Sequence, residues 1–231
     1  MTNNLIYVKV KDVRRETSDC ISIVFTKPVG FDFTPGECAD LSFPDQKLLF
    51  KTFSFASSPT ENDLIITFRK GWTEYKTRLE KLAWGNQMLM RVYGNTFNFL
   101  PKHKAVFIAG GIGITPFRAM LVFEKNKLSQ KEKGQNIILI YLNATQEFVF
   151  KQELDELQRE LNNFEVNYIL TQREGRLSRE KLLKLVCFDS DTINYISGPP
   201  GMVDATVEIL EKMKIENIRI KTASFDGYLG E

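Results

Sequence analysis

The chain has 231 residues, of which 43% are hydrophobic and 26% charged, enough apolar material for two cores of about 100 to 130 residues each. A formal net charge of +2 without a concentrated basic block argues against a nucleic-acid partner, because phosphate-backbone binders carry a basic patch or stripe. No apolar run reaches the roughly 18 residues that a bilayer span requires, and the opening MTNNLIYVKVKDVRRE lacks a signal-peptide core, so the expectation is a soluble, cytoplasmic protein with no membrane partner.

Up to residue 100, short alternating or β-branched runs follow one another, with turn residues between them: Ile6 to Val13, Cys20 to Thr26, Cys38 to Phe43, Leu49 to Ala56, Leu64 to Lys70 and Gln87 to Val92. Six such runs predict a six-stranded antiparallel barrel. Between the last two, Glu74 to Leu82 places Tyr75, Leu79 and Leu82 at i, i+4 and i+7, which predicts a short helix capping an open end of the barrel.

From residue 101 the rhythm becomes strand then helix. Strands are predicted at Ala105 to Ala109, Ile137 to Leu142, Val166 to Leu170, Thr192 to Ser197 and Ile218 to Ala223, and helices at Phe117 to Lys125, Gln152 to Leu161, Arg179 to Leu185 and Val203 to Met213. Nearly all-apolar strands joined by helices predict a five-stranded parallel α/β sheet wound right-handed. The chain therefore reads as two domains, 1–100 and 101–231. Ligands on parallel sheets bind at the carboxyl ends of the strands.

At one such end stands AGGIGITPF, Ala109 to Phe117. Gly110, Gly111 and Gly113 permit positive φ and close approach of a ligand, while the helix that follows turns unsatisfied N–H groups toward an anion. Pro116 suits a first helical turn because its missing N–H is not needed there. Two phosphate loops are excluded: Pro116 stands where G-x-G-x-x-G has its last glycine, and no Gly-Lys-Ser/Thr follows.

A second stretch, Phe50 to Pro59 (FKTFSFASSP), precedes the glycines. Together the two resemble the ferredoxin-NADP reductase family of flavoproteins, in which an R-x-Y-S motif on a barrel strand holds the flavin; Lys51-Thr52-Phe53-Ser54 occupies it here. Pro35-Gly36-Glu37 resembles the family's P-G-Q turn, and Trp72-Thr73-Glu74-Tyr75 the segment that wraps the flavin diphosphate. Ser197-Gly198-Pro199-Pro200-Gly201-Met202 resembles C-G-x-x-x-M, and Phe225-Asp226-Gly227-Tyr228 the aromatic tail of short, stand-alone members.

The resemblance implies a flavin-binding barrel followed by an NAD(P)-binding domain, and an oxidoreductase that passes hydride from NADPH or NADH to bound FAD. Phe53 and Tyr228 are the expected ring contacts, since aromatic stacking adds roughly 0.5 to 1.5 kcal/mol to area burial. Ser54 is expected at flavin N5 and Ser197 beside the nicotinamide, with Lys51, Thr52, Trp72 and Thr73 toward the rest of the flavin and its diphosphate. Gly110, Gly111, Gly113, Thr115, Pro116, Gly198, Pro199 and Met202 are expected around the dinucleotide. FAD is preferred to FMN, because Trp72 and Thr73 would serve a second phosphate.

Three departures stand out. Lys51 replaces arginine and loses the bidentate fork, Phe53 replaces tyrosine and its phenol, and Ser197 replaces a cysteine. Nucleotide choice divides: Ala144 stands where many NADP-using relatives carry arginine, whereas Gln172-Arg173-Glu174 resembles the family's S-R-E, whose arginine grips the 2′-phosphate. The reading leans to NADPH through Arg173, with Arg176 nearby.

Cys20, Cys38 and Cys187 are odd in number and widely spaced, which fits no disulfide, zinc or iron–sulfur framework and predicts three buried thiols and no metal. The electron acceptor is then a separate protein, such as acidic ferredoxin or flavodoxin, or a small molecule. The alternatives are an electron-transfer flavin subunit of a larger redox complex and a redox-inactive module that kept the fold. Phe53 and Phe55 alternate, so either can fill the barrel instead, and His103, the sole histidine, reads as a solvated linker residue.

Overall fold

The computed structural model describes residues 5–46, 49–94, 97–100, 102–129 and 135–225. In the first half, β1 (Ile6–Arg15), β2 (Cys20–Thr26), β3 (Cys38–Ser42), β4 (Lys51–Ser54), β5 (Asp63–Arg69) and β6 (Gln87–Gly94) form one antiparallel sheet in the order β4-β3-β6-β1-β2-β5. The sheet curls until its ends meet at a single bridge, Phe55 with Ile66, where the Ala56 N–H donates to the Ile65 carbonyl at 2.7 Å. Along residues 52–54 the second edge of β4 pairs with no strand among the described residues.

Strand alternation sorts side chains between two cores. On β2, Ile21, Ile23 and Phe25 fill the barrel while Cys20 and Val24 join the core of the second half; on β5, Leu64, Ile66 and Phe68 face inward and Ile65 outward. Both strands are thus buried on both faces, which explains why they read as nearly unbroken apolar runs. Helix α1 (Glu74–Glu80) caps the barrel as expected. Thr73 accepts the Lys76 N–H at 3.3 Å as N-cap, Tyr75 and Leu79 are buried, and the Tyr75 hydroxyl donates to the Leu41 carbonyl at 2.6 Å.

In the second half, β7 (Ala105–Gly110), β8 (Ile137–Asn143), β9 (Phe164–Leu170), β10 (Ile193–Gly198) and β11 (Ile220–Ser224) are all parallel, in the order β11-β10-β7-β8-β9. The connections run through α2 (Thr115–Ser129), α3 (Lys151–Glu160), the short α4 (Thr171–Glu174), α5 (Arg179–Leu185) and α6 (Pro200–Lys212). One face of the sheet packs Phe107, Tyr141 and Tyr195 against Phe117 of α2, α3 and the barrel, and the other packs Val106, Ile108, Ile140 and Ile196 with Leu182 and Leu210. Phe107 and Phe117 stack at 4.6 Å, and burial pushes the Tyr195 phenol up to about 12.

The two halves share an apolar seam, in which Phe97 and Phe99, before residue 101, pack on Phe107, Phe117 and Tyr195 beyond it. The Pro35-Gly36-Glu37 turn seals one end. Gly36 sits at φ +94°, and a Cβ there would come within 2.5 Å of the Phe97 carbonyl and 2.7 Å of Met120 Cε, so both conformation and space demand glycine.

The structure corrects several sequence expectations. Helix α2 begins at Thr115 rather than Phe117, after a 3-10 turn over Gly111–Ile114, and α4 is an additional helical turn. His103 is half-exposed but not simply solvated, since its Nδ1 lies 2.7 Å from Asp191 Oδ1. Of the three thiols only Cys20 is buried; Cys38 is partly covered and Cys187 exposed. Burial pushes the Cys20 and Cys38 thiols up from their ordinary value, with Asp40 and Glu37 adding to the effect at Cys38. A disulfide exchange reagent at pH 8 is therefore expected to label the native protein in one fast phase belonging to Cys187. Replacing Cys187 by serine should abolish that phase and leave only slow labelling.

Candidate functional site

The winding of the sheet reverses between β7 and β10, since from β7 the chain runs outward through β8 and β9 and then crosses back to β10; in such sheets the binding crevice lies at the carboxyl ends of the two strands at that point. The backbones meet with almost no side chain between them. A Cβ on Gly113 would collide with the Ser197 carbonyl oxygen, one on Gly110 would lie 2.8 Å from Met202 Cε and 3.1 Å from Pro199 Cδ, and one on Gly198 would lie 3.0 Å from Gly110 Cα. The glycines are thus explained first by strand-end packing. Met202 closes over Gly110 and Gly198, which gives that methionine a packing role in the Gly198–Met202 pattern.

Gly111, at φ +54°, turns the chain into the 3-10 segment, where the Tyr141 hydroxyl donates to its carbonyl at 3.0 Å. The Thr115 hydroxyl donates back to the Ile112 carbonyl at 3.2 Å, and Pro116 lies in the first turn of α2. Pro199 and Pro200 open α6 without a side-chain cap. Neither α2 nor α6 carries an acidic residue in its first turn, so both helix ends keep their positive character toward the crevice. The Ser197 hydroxyl is buried with no hydrogen-bond partner among the described residues.

On the barrel, β4 lies at the sheet edge. Phe53 is half-buried, its ring 6.3 Å from Tyr75 and nearly parallel to it, whereas Phe55 is fully buried in the barrel core. Ser54 is 7% exposed. Thr52 faces away from Phe53 and donates to Asp40 Oδ1 at 2.6 Å, and Asp40 in turn receives Arg91 Nη2 at 2.6 Å. Trp72 is 83% exposed just ahead of α1. Thr73 accepts through its oxygen as N-cap and so retains a hydroxyl proton to donate. Tyr228 lies outside the described residues.

Arg173, in α4, is 74% exposed and paired with Glu174 Oε1 at 3.2 Å. The N–H of Leu170, followed by Arg173, holds the Glu174 carboxyl below its ordinary value. Lys181 covers the end of this turn by donating to the carbonyls of Glu174, Gly175 and Arg176.

Sequence reasoning missed one cation. Arg69, from the end of β5 and paired with Asp19 at 3.1 Å, reaches across so that Nη2 lies 3.4 Å from the direction a Gly111 Cβ would take. It reads as the last residue of a barrel strand, and no local signal brings it to a loop in the other half. Lys76 is its neighbour: burial, and then Arg69, pull that ammonium below its ordinary value. Among the described residues no cluster of His, Cys, Asp and Glu could hold a metal, and no helix is long and apolar enough to cross a membrane.

Residues 107–208 match the oxidoreductase NAD-binding domain, a span that includes Gly110–Thr115 and Ser197–Met202. Over nearly the full length of both chains, 97% of this one and 98% of the other, the fold superposes on ferredoxin-NADP+ reductase from Plasmodium falciparum with a TM-score of 0.82 at 16% identity. The chain carries an oxidoreductase NAD-binding domain and has the fold of ferredoxin-NADP+ reductase. Among sequence relatives, it is 30% identical to NADH-cytochrome b5 reductase 1 of Dictyostelium discoideum over 76% of this chain and 65% of that protein. It is 25% identical to the anthranilate 1,2-dioxygenase electron transfer component of Acinetobacter baylyi over 84% of this chain and 58% of that protein. The chain thus spans less than two thirds of either relative.

The glycine packing makes a test. Gly113→Ala is expected to lower unfolding free energy by about 1–3 kcal/mol, the usual cost of overpacking. Gly201→Ala, whose Cβ meets nothing within 4 Å, should not lower it. Denaturant titration of the two variants reads the difference.

Proposed function

We propose that the protein is an NAD(P)H-dependent flavoprotein reductase that seats FAD on β4 and α1, takes nicotinamide dinucleotide at the switch point, and passes electrons to a separate acceptor. The observation that carries this reading is the side-chain-free meeting of Gly110–Gly113 with Ser197–Gly198 at the sheet's reversal, with Arg69 of the barrel leaning over it.

The residues fit the groups. A flat apolar ring suits the half-buried face of Phe53, and the Ser54 hydroxyl, immediately after it, would address the ring's N5 edge. Lys51 and the remaining proton of Thr73 would meet the diphosphate, with Trp72 covering the outer part; this second-phosphate segment favours FAD over FMN. Thr52, committed to Asp40, contributes through its main chain. When bound, the flavin supplies the site that accepts hydride and later gives up electrons singly.

The chain's own part is placement. The buried, unpartnered Ser197 hydroxyl would orient the nicotinamide amide. The pyrophosphate would lie on the Gly110–Thr115 turn, whose N–H groups and uncapped helix end favour an anion, with Arg69 supplying the cation that this turn lacks. Gly198, Pro199 and Met202 would form the opposite wall. Arg173 would receive a 2′-phosphate only by exchanging it for Glu174, which keeps the preference for NADPH modest. The slight basic excess suits an acidic electron carrier such as ferredoxin or flavodoxin, and a small-molecule acceptor fits as well.

A second reading, an electron-transfer subunit of a larger complex, draws on the relative named as a dioxygenase electron transfer component. NAD(P)H-dependent dye reduction by the isolated chain would count against it.

The purified protein is expected to be yellow, to release FAD on denaturation, and to bleach on adding NADPH or NADH. Colourless protein that takes up neither FAD nor FMN would remove the reading. Ser54→Ala and Ser197→Ala should each slow flavin reduction in stopped flow more than they weaken nucleotide binding. Arg173→Ala should raise KM for NADPH by about ten- to a hundredfold, the equivalent of roughly 1.5–3 kcal/mol for a charge-assisted contact, and spare NADH. Equal effects on the two nucleotides would refute that role.

A further inference from the structure

We infer that Arg118 is a positioning residue that fixes the distance between the flavin seat on the barrel and the nucleotide cradle on the parallel sheet. The inference rests on the reductase reading above, and it concerns a side chain that touches neither proposed ligand.

Arg118 lies in the first turn of α2, three residues after Thr115, and its side chain is 8% exposed. All five of its N–H donors are used. Nε and Nη2 donate to the two oxygens of Glu153 on α3, both at 2.7 Å; Nη1 donates to the Ala56 carbonyl at 2.7 Å and to Glu61 Oε2 at 3.0 Å, and Nη2 to Glu61 Oε1 at 3.1 Å. Glu153 belongs to the same half as Arg118, whereas Ala56 and Glu61 belong to the barrel.

Ala56 is two residues beyond Ser54, and its N–H makes the bond to Ile65 that closes the barrel. Glu61 Oε2 also accepts the Ser58 N–H at 2.6 Å, which stiffens the loop it comes from. One planar guanidinium therefore ties the end of β4 to the start of α2 with short covalent spacers on both sides. Phe150 supports it from below at 5.4 Å, held at φ +60° at the entrance to α3. A non-glycine residue in that conformation persists only where its surroundings enforce it. An apolar seam alone can slide, but a bidentate ion pair has one geometry. Misplacement of reacting groups by about 1 Å can cost a hundredfold in rate.

Arg118→Ala would leave two partly buried carboxylates facing each other without a cation and is expected to destabilise the fold, so the test uses its partners. Glu61→Gln removes the barrel half of the pairing, and Glu153→Gln removes the half within the α/β sheet. In Glu61→Gln, flavin reduction at saturating nucleotide should slow by about ten- to a hundredfold while the dissociation constants for FAD and nucleotide hold. The long-wavelength band of nicotinamide stacked on flavin should weaken, and in protein without nucleotide the amides of residues 56–61 should exchange faster. Glu153→Gln should lower the melting temperature but preserve the rate and the band. Wild-type rate, band and exchange in Glu61→Gln, or equal slowing in both variants, would overturn the inference. Wild-type protein that binds neither flavin nor nucleotide would overturn the parent reading, and this one with it.

Discussion

Two parallel strands end side by side with their main chains nearly in contact, and much of the second half follows from that contact. Gly113 against the Ser197 carbonyl, and Gly110 against Gly198, leave room for no Cβ, so the crevice is floored by peptide groups rather than by side chains. Peptide dipoles and two helix starts without acidic residues make that floor electropositive without a cation of its own. Any cation must then reach in from elsewhere, and Arg69 comes from the barrel.

The barrel's contribution depends on the double-sided burial of β2 and β5. Their outward faces join the core of the parallel sheet, so the two halves share apolar surface worth roughly 25 cal/mol per Å² buried. Apolar contact is non-directional and sets proximity but not register. Register comes from polar groups at the edges of the seam: Arg118 with Glu61 on one side and, on the other, Ser18 in the β1–β2 turn, whose N–H and hydroxyl donate to Glu147. Removing water from a guanidinium and two carboxylates opposes folding. The full set of five hydrogen bonds offsets that opposition.

Much of the architecture was legible because periodicity is a local property. Tyr75, Leu79 and Leu82 announced the cap of the barrel, and the all-apolar runs at 105–109 and 137–142 announced a sheet buried on both faces. The ends of elements were less legible. Helix α2 starts early because Gly111–Ile114 winds as a 3-10 turn that delivers the chain already helical, and Cys187, read as a buried hydrophobe, lies exposed beyond α5. In the candidate site, residues carried by contiguous motifs were found, whereas Arg69 and Arg118 were not. Each acts on a partner far away in sequence, and nothing in a one-dimensional pattern distinguishes an arginine that crosses a seam from one that faces water.

The edge position of β4 has a cost beyond chemistry. Its outer rim along residues 52–54 pairs with no strand among the described residues, and an open sheet edge is a template for another chain. A flat cofactor lying there would shield that rim as well as serve the reaction. Chains that had not yet taken up the cofactor would then be the form exposed to self-association.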